Sequence, residues 1–152
     1  MNICQIVYLS RATAYVDNTA LMSITLEAVA NNAKSRVTGA LLFCNGLFLQ
    51  ILEGHPETVD PLYEKIARDA RHTDIQIISR TEQTERRFPD WKMAGIHESS
   101  MTPAQLDETN RALNRLNDPG ASGQLTTDAV TLLVELRAAI AEKSDTNRKE
   151  AA

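Results

Sequence analysis

The chain predicts an α+β fold, in which one sheet carries packed helices and two further helices are appended at the C-terminus. Three observations carry that prediction. Apolar runs rich in β-branched and aromatic residues alternate with amphipathic stretches through the first 98 residues. An Asn45-Gly46 pair separates two of those runs. Asn-Gly readily takes the positive φ angles of a two-residue type I′ turn, so the flanking strands are antiparallel neighbours and a purely parallel sheet is disfavoured. The length of 152 residues suits one domain with a short appendage.

Ile3 to Ser10 reads as the first strand. Residues 18–34 follow a helical period, and Asp17 or Asn18 offers a short acceptor for the free N–H groups at the start. Two stripes run along this helix. Leu21, Ile24, Thr25, Ala28 and Asn32 form a half-polar one suited to lining a slot; Met22, Leu26, Val29 and Ala33 form the one expected to face the sheet. Val37 to Cys44 and Leu47 to Glu53 are the hairpin strands. A second helix is expected from about Pro56 to Asp69. Pro56 suits the first helical position, whereas Pro61 either kinks the helix or marks its true start with Asp60 as cap. Asp74 to Thr81 reads as a fourth strand, Arg86 to Trp91 as a loop around Pro89, and Trp91 to His97 as a short fifth strand. The order β-α-β-β-α-β plus one strand is the ferredoxin-like arrangement.

The last third differs in kind. Thr102-Pro103-Ala104-Gln105 is a capping-box pattern ahead of a helix carrying Leu106, Leu113 and Leu116. Asn117 to Gly123 reads as a loop, and a final helix starts near Thr126 or Thr127. Its apolar residues, from Val130 to Ile140, go more than halfway round, so it must be covered twice. One side is expected on the open face of the sheet and the other against a second protomer or partner. The polar residues from Ser144 predict a disordered tail. The expected division is therefore 1–98, 99–143 and 144–152.

Composition narrows the function classes. Sixteen Lys and Arg against 20 Asp and Glu give a net charge of −4, which argues against nucleic-acid binding by bulk electrostatics. Neither an 18-residue apolar run nor a signal-peptide pattern is present, so a cytoplasmic protein without a membrane span is expected. Cys4 and Cys44 sit inside apolar runs and read as reduced, buried thiols. His55, His72 and His97 are too scattered to suggest a triad or a metal site.

The informative residues are polar groups inside apolar segments. Alternation puts Gln50 on one strand face with Phe48 and Leu52, and Tyr8 on one face with Cys4, Ile6 and Ser10. A buried carboxamide left unbonded costs about 1–3 kcal/mol, and a buried phenol likewise needs a partner. Tyr8, Asn32 and Gln50 converge on one space if both strands are central and the first helix lies over them.

Several separated motifs make the pattern specific. Tyr8-Leu9-Ser10-Arg11-Ala12, Asn31-Asn32, Thr38 to Phe43, Asn45 to Gly54, Asp69-Ala70-Arg71-His72 and Arg87 to Met93 resemble the BLUF family of blue-light sensors. The resemblance runs through roughly residues 2–97, and the two C-terminal helices make the chain similar to the family's short, single-domain members. It implies a ferredoxin-like domain holding a flavin, normally flavin adenine dinucleotide (FAD) with FMN or riboflavin as substitutes, between the first two helices. Tyr8 and Gln50 would be the photoactive pair, and Asn32, with Asn31 nearby, would meet the flavin's pyrimidine edge. Lys65, Asp69, Arg71 and His72 would contact the ribityl and phosphate end, and Ile24, Ala28, Phe48 and Ile66 would form the apolar walls. Some members carry a hydroxyl where this chain has Ala28, so one contact is missing here. Trp91 and Met93, placed on one face of the fifth strand by alternation, would relay the signal. The output would pass to a separate effector protein, with a homo-oligomer expected.

The residue types suit that chemistry. Excited flavin is a strong oxidant, tyrosine can give up an electron with its phenolic proton, and a carboxamide both accepts and donates. The Cys44-Asn45-Gly46 sequence superficially resembles the LOV sensors' adduct-forming motif, but here Cys precedes Asn and the Arg is missing. A small ferredoxin-like enzyme and a non-photoactive interaction module are the alternative readings.

Overall fold

A computed structural model describes residues 2–118 and 124–151. The elements run β1 (Ile3–Ala12), α1 (Asn18–Asn32), β2 (Thr38–Cys44), β3 (Leu47–Gly54), α2 (Pro56–Ala67), β4 (His72–Gln83), β5 (Lys92–His97), a 3-10 turn (Glu98–Ser100), α3 (Pro103–Leu116) and α4 (Gln124–Ala151). The five strands form one sheet in the order β4-β1-β3-β2-β5. All neighbours are antiparallel except β2 and β5, which run parallel. This is the expected ferredoxin-like α+β arrangement with a fifth strand added beside β2.

Local signals explain most boundaries. Asn45 and Gly46 hold φ of 51° and 76° in the β2–β3 turn, as a type I′ hairpin requires. Asp17 caps α1 by accepting from the Ala20 N–H at 2.7 Å. Thr102 and Gln105 form the reciprocal capping box of α3, at 3.2 and 2.9 Å. Pro61 neither starts nor ends α2, which runs through it from Pro56. Pro61 and Glu57 both lie on the exposed side of α2, where the Glu57 carbonyl that loses its partner can meet water. The loop expected at Asn117 to Gly123 lies, from residue 119 on, outside the described residues.

Strict alternation along β1, β2 and β3 divides the interior into two layers. Val7, Leu9, Leu42, Leu49 and Ile51 point to one face, where α3 and α4 cover them with Leu113, Leu116, Leu132, Leu133 and Leu136. Ile6, Tyr8, Leu41, Phe43, Phe48 and Leu52 point to the other, where α1 and α2 lie. The final helix thus takes the open sheet face, as expected, while Val134 stays 40% exposed on its outer side.

Three expectations are corrected. Half of the α1 stripe assigned to the sheet points away from it: Met22 and Leu26 are 55% and 65% exposed, while Val29 packs against the core and Leu21 and Asn32 are buried. The small residues of the other stripe permit close approach. Thr25 packs over Gly95, where an added Cβ would come within 2.9 Å of its Cγ2. Second, α4 runs on through Ser144 to Ala151, where the polar sequence predicts a disordered tail. Extending an established helix needs no new nucleation. Third, Trp91 and Met93 do not share a face. Met93 sits in a β-bulge with φ of 108°, between partner pairs Gly39–Lys92 and Ala40–Ala94. The extra residue breaks the alternation. Met93 joins the α1/α2 side, and Trp91, ahead of the strand, joins the α3/α4 side.

Candidate functional site

The pairing register of the two central strands creates the site. Tyr8 of β1 lies directly opposite Gln50 of β3, both on the α1/α2 side. The Tyr8 hydroxyl donates to Gln50 Oε1, and Gln50 Nε2 donates to Met93 Sδ at 3.4 Å. Both side chains are almost wholly enclosed, at 2% and 5% exposure. Burial is the main cause raising the Tyr8 pKa well above the ordinary phenol value, with Tyr63 and Asp69 adding to it. The Tyr63 ring meets the Tyr8 ring edge-on at 5.7 Å. Tyr8 therefore stays protonated at neutral pH, with its hydrogen committed to one carboxamide oxygen.

Between α1 and α2, this pair faces a cleft that opens to solvent on one side. Every residue predicted from the sequence to bind a ligand lines it. Ile24, Ala28, Phe48 and Ile66 form apolar walls, joined by Leu41, Leu52 and Leu62, which the sequence pattern did not assign. Asn31 and Asn32 come from the end of α1, and among the described residues neither carboxamide is hydrogen-bonded by a protein partner. Asn32 is nevertheless only 6% exposed. Lys65, Asp69 and Arg71 line the cleft's more exposed part, and His72 lies deeper, bonded to Ser10 and Ile66. Glu27 was also missed, although Ile24, Glu27, Ala28 and Asn31 follow helical spacing along one face.

Arg71 and His72 are held in different ways. Arg71 grips Asp69 through Nε at 3.0 and 3.1 Å and Nη2 at 2.6 Å, and its Nη1 lies 3.7 Å from Glu27 Oε2. The Arg71 hydrogen bonds hold the Asp69 carboxyl down to about 2. His72 spends both ring nitrogens inside the protein. Nε2 meets the Ile66 carbonyl at 2.6 Å, which requires a donor, and Nδ1 meets Ser10 Oγ at 2.8 Å. It ties the end of α2 to β1 and β4 and has no nitrogen left for a ligand.

Met93 and Trp91 flank the bulge on opposite sides of the sheet. Trp91 stacks on Phe88 at 4.6 Å and lies under the Arg137 guanidinium of α4 at 4.7 Å. The buried Glu53 carboxylate anchors this segment, accepting from the Arg87 and Phe88 N–H groups at 2.9 and 2.6 Å and from the Gln5 and Gln83 amides at 3.1 Å each. Among the described residues, no cluster of His, Cys, Asp and Glu is arranged to hold a metal ion. Nor is any helix there long and apolar enough to cross a membrane.

The sheet carries a one-sided cleft over the Tyr8–Gln50 pair, the form of a ligand-holding module, and known proteins share the fold. The profile of the BLUF family, "Sensors of blue-light using FAD", matches residues 3–94. The chain belongs to that family. Photoactivated adenylate cyclase subunit beta of Euglena longa is 37% identical over 95 residues, which is 62% of this chain and 11% of that protein. The chain thus spans about a tenth of the length of the curated relatives of this kind. The solved structure of a bacterial light-regulated adenylyl cyclase superposes with TM-score 0.65 at 34% identity, over 74% of this chain and 32% of the other. The dark-state structure of BlrB, a BLUF protein, superposes with TM-score 0.69 at 27% identity and covers 91% of this chain and 96% of its own. The BLUF domain is a flavin-dependent photosensory module.

Proposed function

We propose that this chain is a blue-light receptor in which Tyr8 and Gln50 are the photoactive pair and the α1–α2 cleft holds the flavin ring. The observation that carries the reading is the Tyr8–Gln50–Met93 chain of hydrogen bonds at the inner end of that cleft. The donor set fits a flavin. A flat tricyclic ring suits the apolar walls from Ile24, Ala28, Phe48 and Ile66, its polar edge suits the unbonded Asn32 carboxamide with Asn31 nearby, and Lys65 and Arg71 suit a phosphorylated tail. Asp69 acts by orienting Arg71, and His72 by closing the cleft floor from within the protein. FAD is the ligand we assign, with FMN and riboflavin as substitutes.

Bound flavin supplies a chromophore that becomes a strong one-electron oxidant when it absorbs blue light. Tyr8 holds its proton in the dark because burial raises its pKa. Loss of an electron makes the phenol strongly acidic, and its proton moves along the existing bond to Gln50 Oε1. Gln50 would stay neutral by handing a proton from Nε2 to a flavin held in the cleft, and when that proton and the electron came back to Tyr8 by way of Gln50, its donor and acceptor ends would be left exchanged, by rotation or as the imidic tautomer. Rotation turns an oxygen toward Met93 Sδ and removes that bond. Met93 stands in a bulge two residues from Trp91, and Trp91 lies under Arg137 of α4, so the altered contact at Gln50 biases the α3/α4 side of the sheet. A separate effector protein reads that change, and the chain works in the cytoplasm as a homo-oligomer. Purified protein loaded with FAD should show flavin absorption bands that move reversibly to the red under blue light. Absence of a reversible shift in flavin-loaded protein would overturn the reading.

A further inference from the structure

The mouth of the cleft carries two cations, Lys65 and Arg71, and two carboxylates, Glu27 and Asp69. Their roles are unequal. Asp69 holds Arg71 bidentately and also accepts from the Arg71 backbone N–H at 2.9 Å, so it fixes where the guanidinium sits. Glu27 reaches the same guanidinium from the opposite helix, α1, by a single 3.7 Å contact at Nη1. Nη1 makes no other ion pair among the described residues, so it is the corner of Arg71 open to an incoming anion. A phosphoryl group arriving there would displace Glu27 and then lie beside its charge. A neutral ribityl chain does neither.

We infer that Glu27 is a specificity-determining residue that competes with the phosphoryl group of the flavin for Arg71 and so narrows the site's preference for FMN and FAD over riboflavin. The inference rests on the assignment of the cleft to flavin. Both side chains are substantially exposed, at 61% and 50%, so the contact is solvent-screened and its effect is modest. Removing the Glu27 charge strengthens phosphoryl flavins by about two- to fivefold and leaves riboflavin unchanged.

The test is a set of equilibrium titrations of the apoprotein with riboflavin, FMN and FAD, for wild type, Glu27→Gln, Arg71→Gln and the double variant, at low and high salt. The expected result is tighter FMN and FAD binding by Glu27→Gln, fading at high salt and in the Arg71→Gln background, with riboflavin constant. Equal shifts for all three ligands, or none, would overturn the inference while leaving the flavin site intact. Failure of wild type to bind any of the three would remove the flavin assignment itself, and this inference with it.

Discussion

At the scale of single residues, Tyr8 and Gln50 divide binding from switching. Tyr8→Phe and Gln50→Leu are each expected to keep the yellow colour of bound flavin and lose the reversible red shift, as read by absorbance under blue light. Asn32→Ala instead should weaken flavin binding, because its carboxamide opens onto the cleft without a protein partner among the described residues. Asp69 predicts a pH effect. Its folded-state pKa of about 2 lies below the ordinary carboxylate value of about 3.9. Its contribution to stability is therefore complete above the ordinary value and disappears as pH falls from about 4 toward about 2. Asp69 is partly open to solvent, so the amount is small. Melting curves of wild type and Asp69→Asn should differ at neutral pH and converge in that acid window. Tyr8 and Gln50 were visible in the sequence because a phenol or carboxamide inside an apolar strand demands a partner, and Asn32 because it ends a half-polar helix stripe; Asp69 followed only from the family resemblance. Glu27 was not, since one exposed Glu on a helix looks like ordinary solvated charge until Arg71 stands opposite.

At the scale of elements, the β4–β5 connection is pinned by one buried carboxylate. Glu53 is fully buried, accepts four N–H groups, and has Arg86 bonded to its backbone carbonyl at 2.9 Å. Glu53→Leu should cost about 3 kcal/mol or more in denaturant unfolding, because two backbone and two amide donors lose their acceptor inside the protein. Gly39 is a second such point. It sits at φ 155°, and a Cβ there would fall 1.8 Å from the Ile51 carbonyl oxygen, so Gly39→Ala must displace β2 from β3. The bulge at Met93 shows why pattern reading stopped short. Periodicity assumes one residue per step, whereas the parallel β2–β5 pairing absorbs an extra residue. Nothing local in Trp91-Lys92-Met93 announces that insertion.

At the scale of the whole molecule, the two C-terminal helices cover a complete sheet face. Cutting the chain after residue 98 would expose Val7, Leu9, Leu42, Leu49 and Ile51, each at most 2% exposed in the intact fold. The truncated protein should melt lower and associate, measured by thermal unfolding and light scattering, which would make the unit bounded at residue 98 dependent on α3 and α4 for its stability. Leu133→Ala, at the centre of that layer, should cost about 2–5 kcal/mol. Element order, hairpin pairing, the caps of α1 and α3 and the strand faces of Tyr8 and Gln50 arise from local chemistry: turn angles, capping geometry and alternation act over a few residues and are written in the chain. The outward turn of Met22 and Leu26, the separation of Trp91 from Met93, the internal use of His72 and the approach of Glu27 to Arg71 are products of assembly. Each depends on which distant surface packs against it, and a one-dimensional pattern carries no record of that partner.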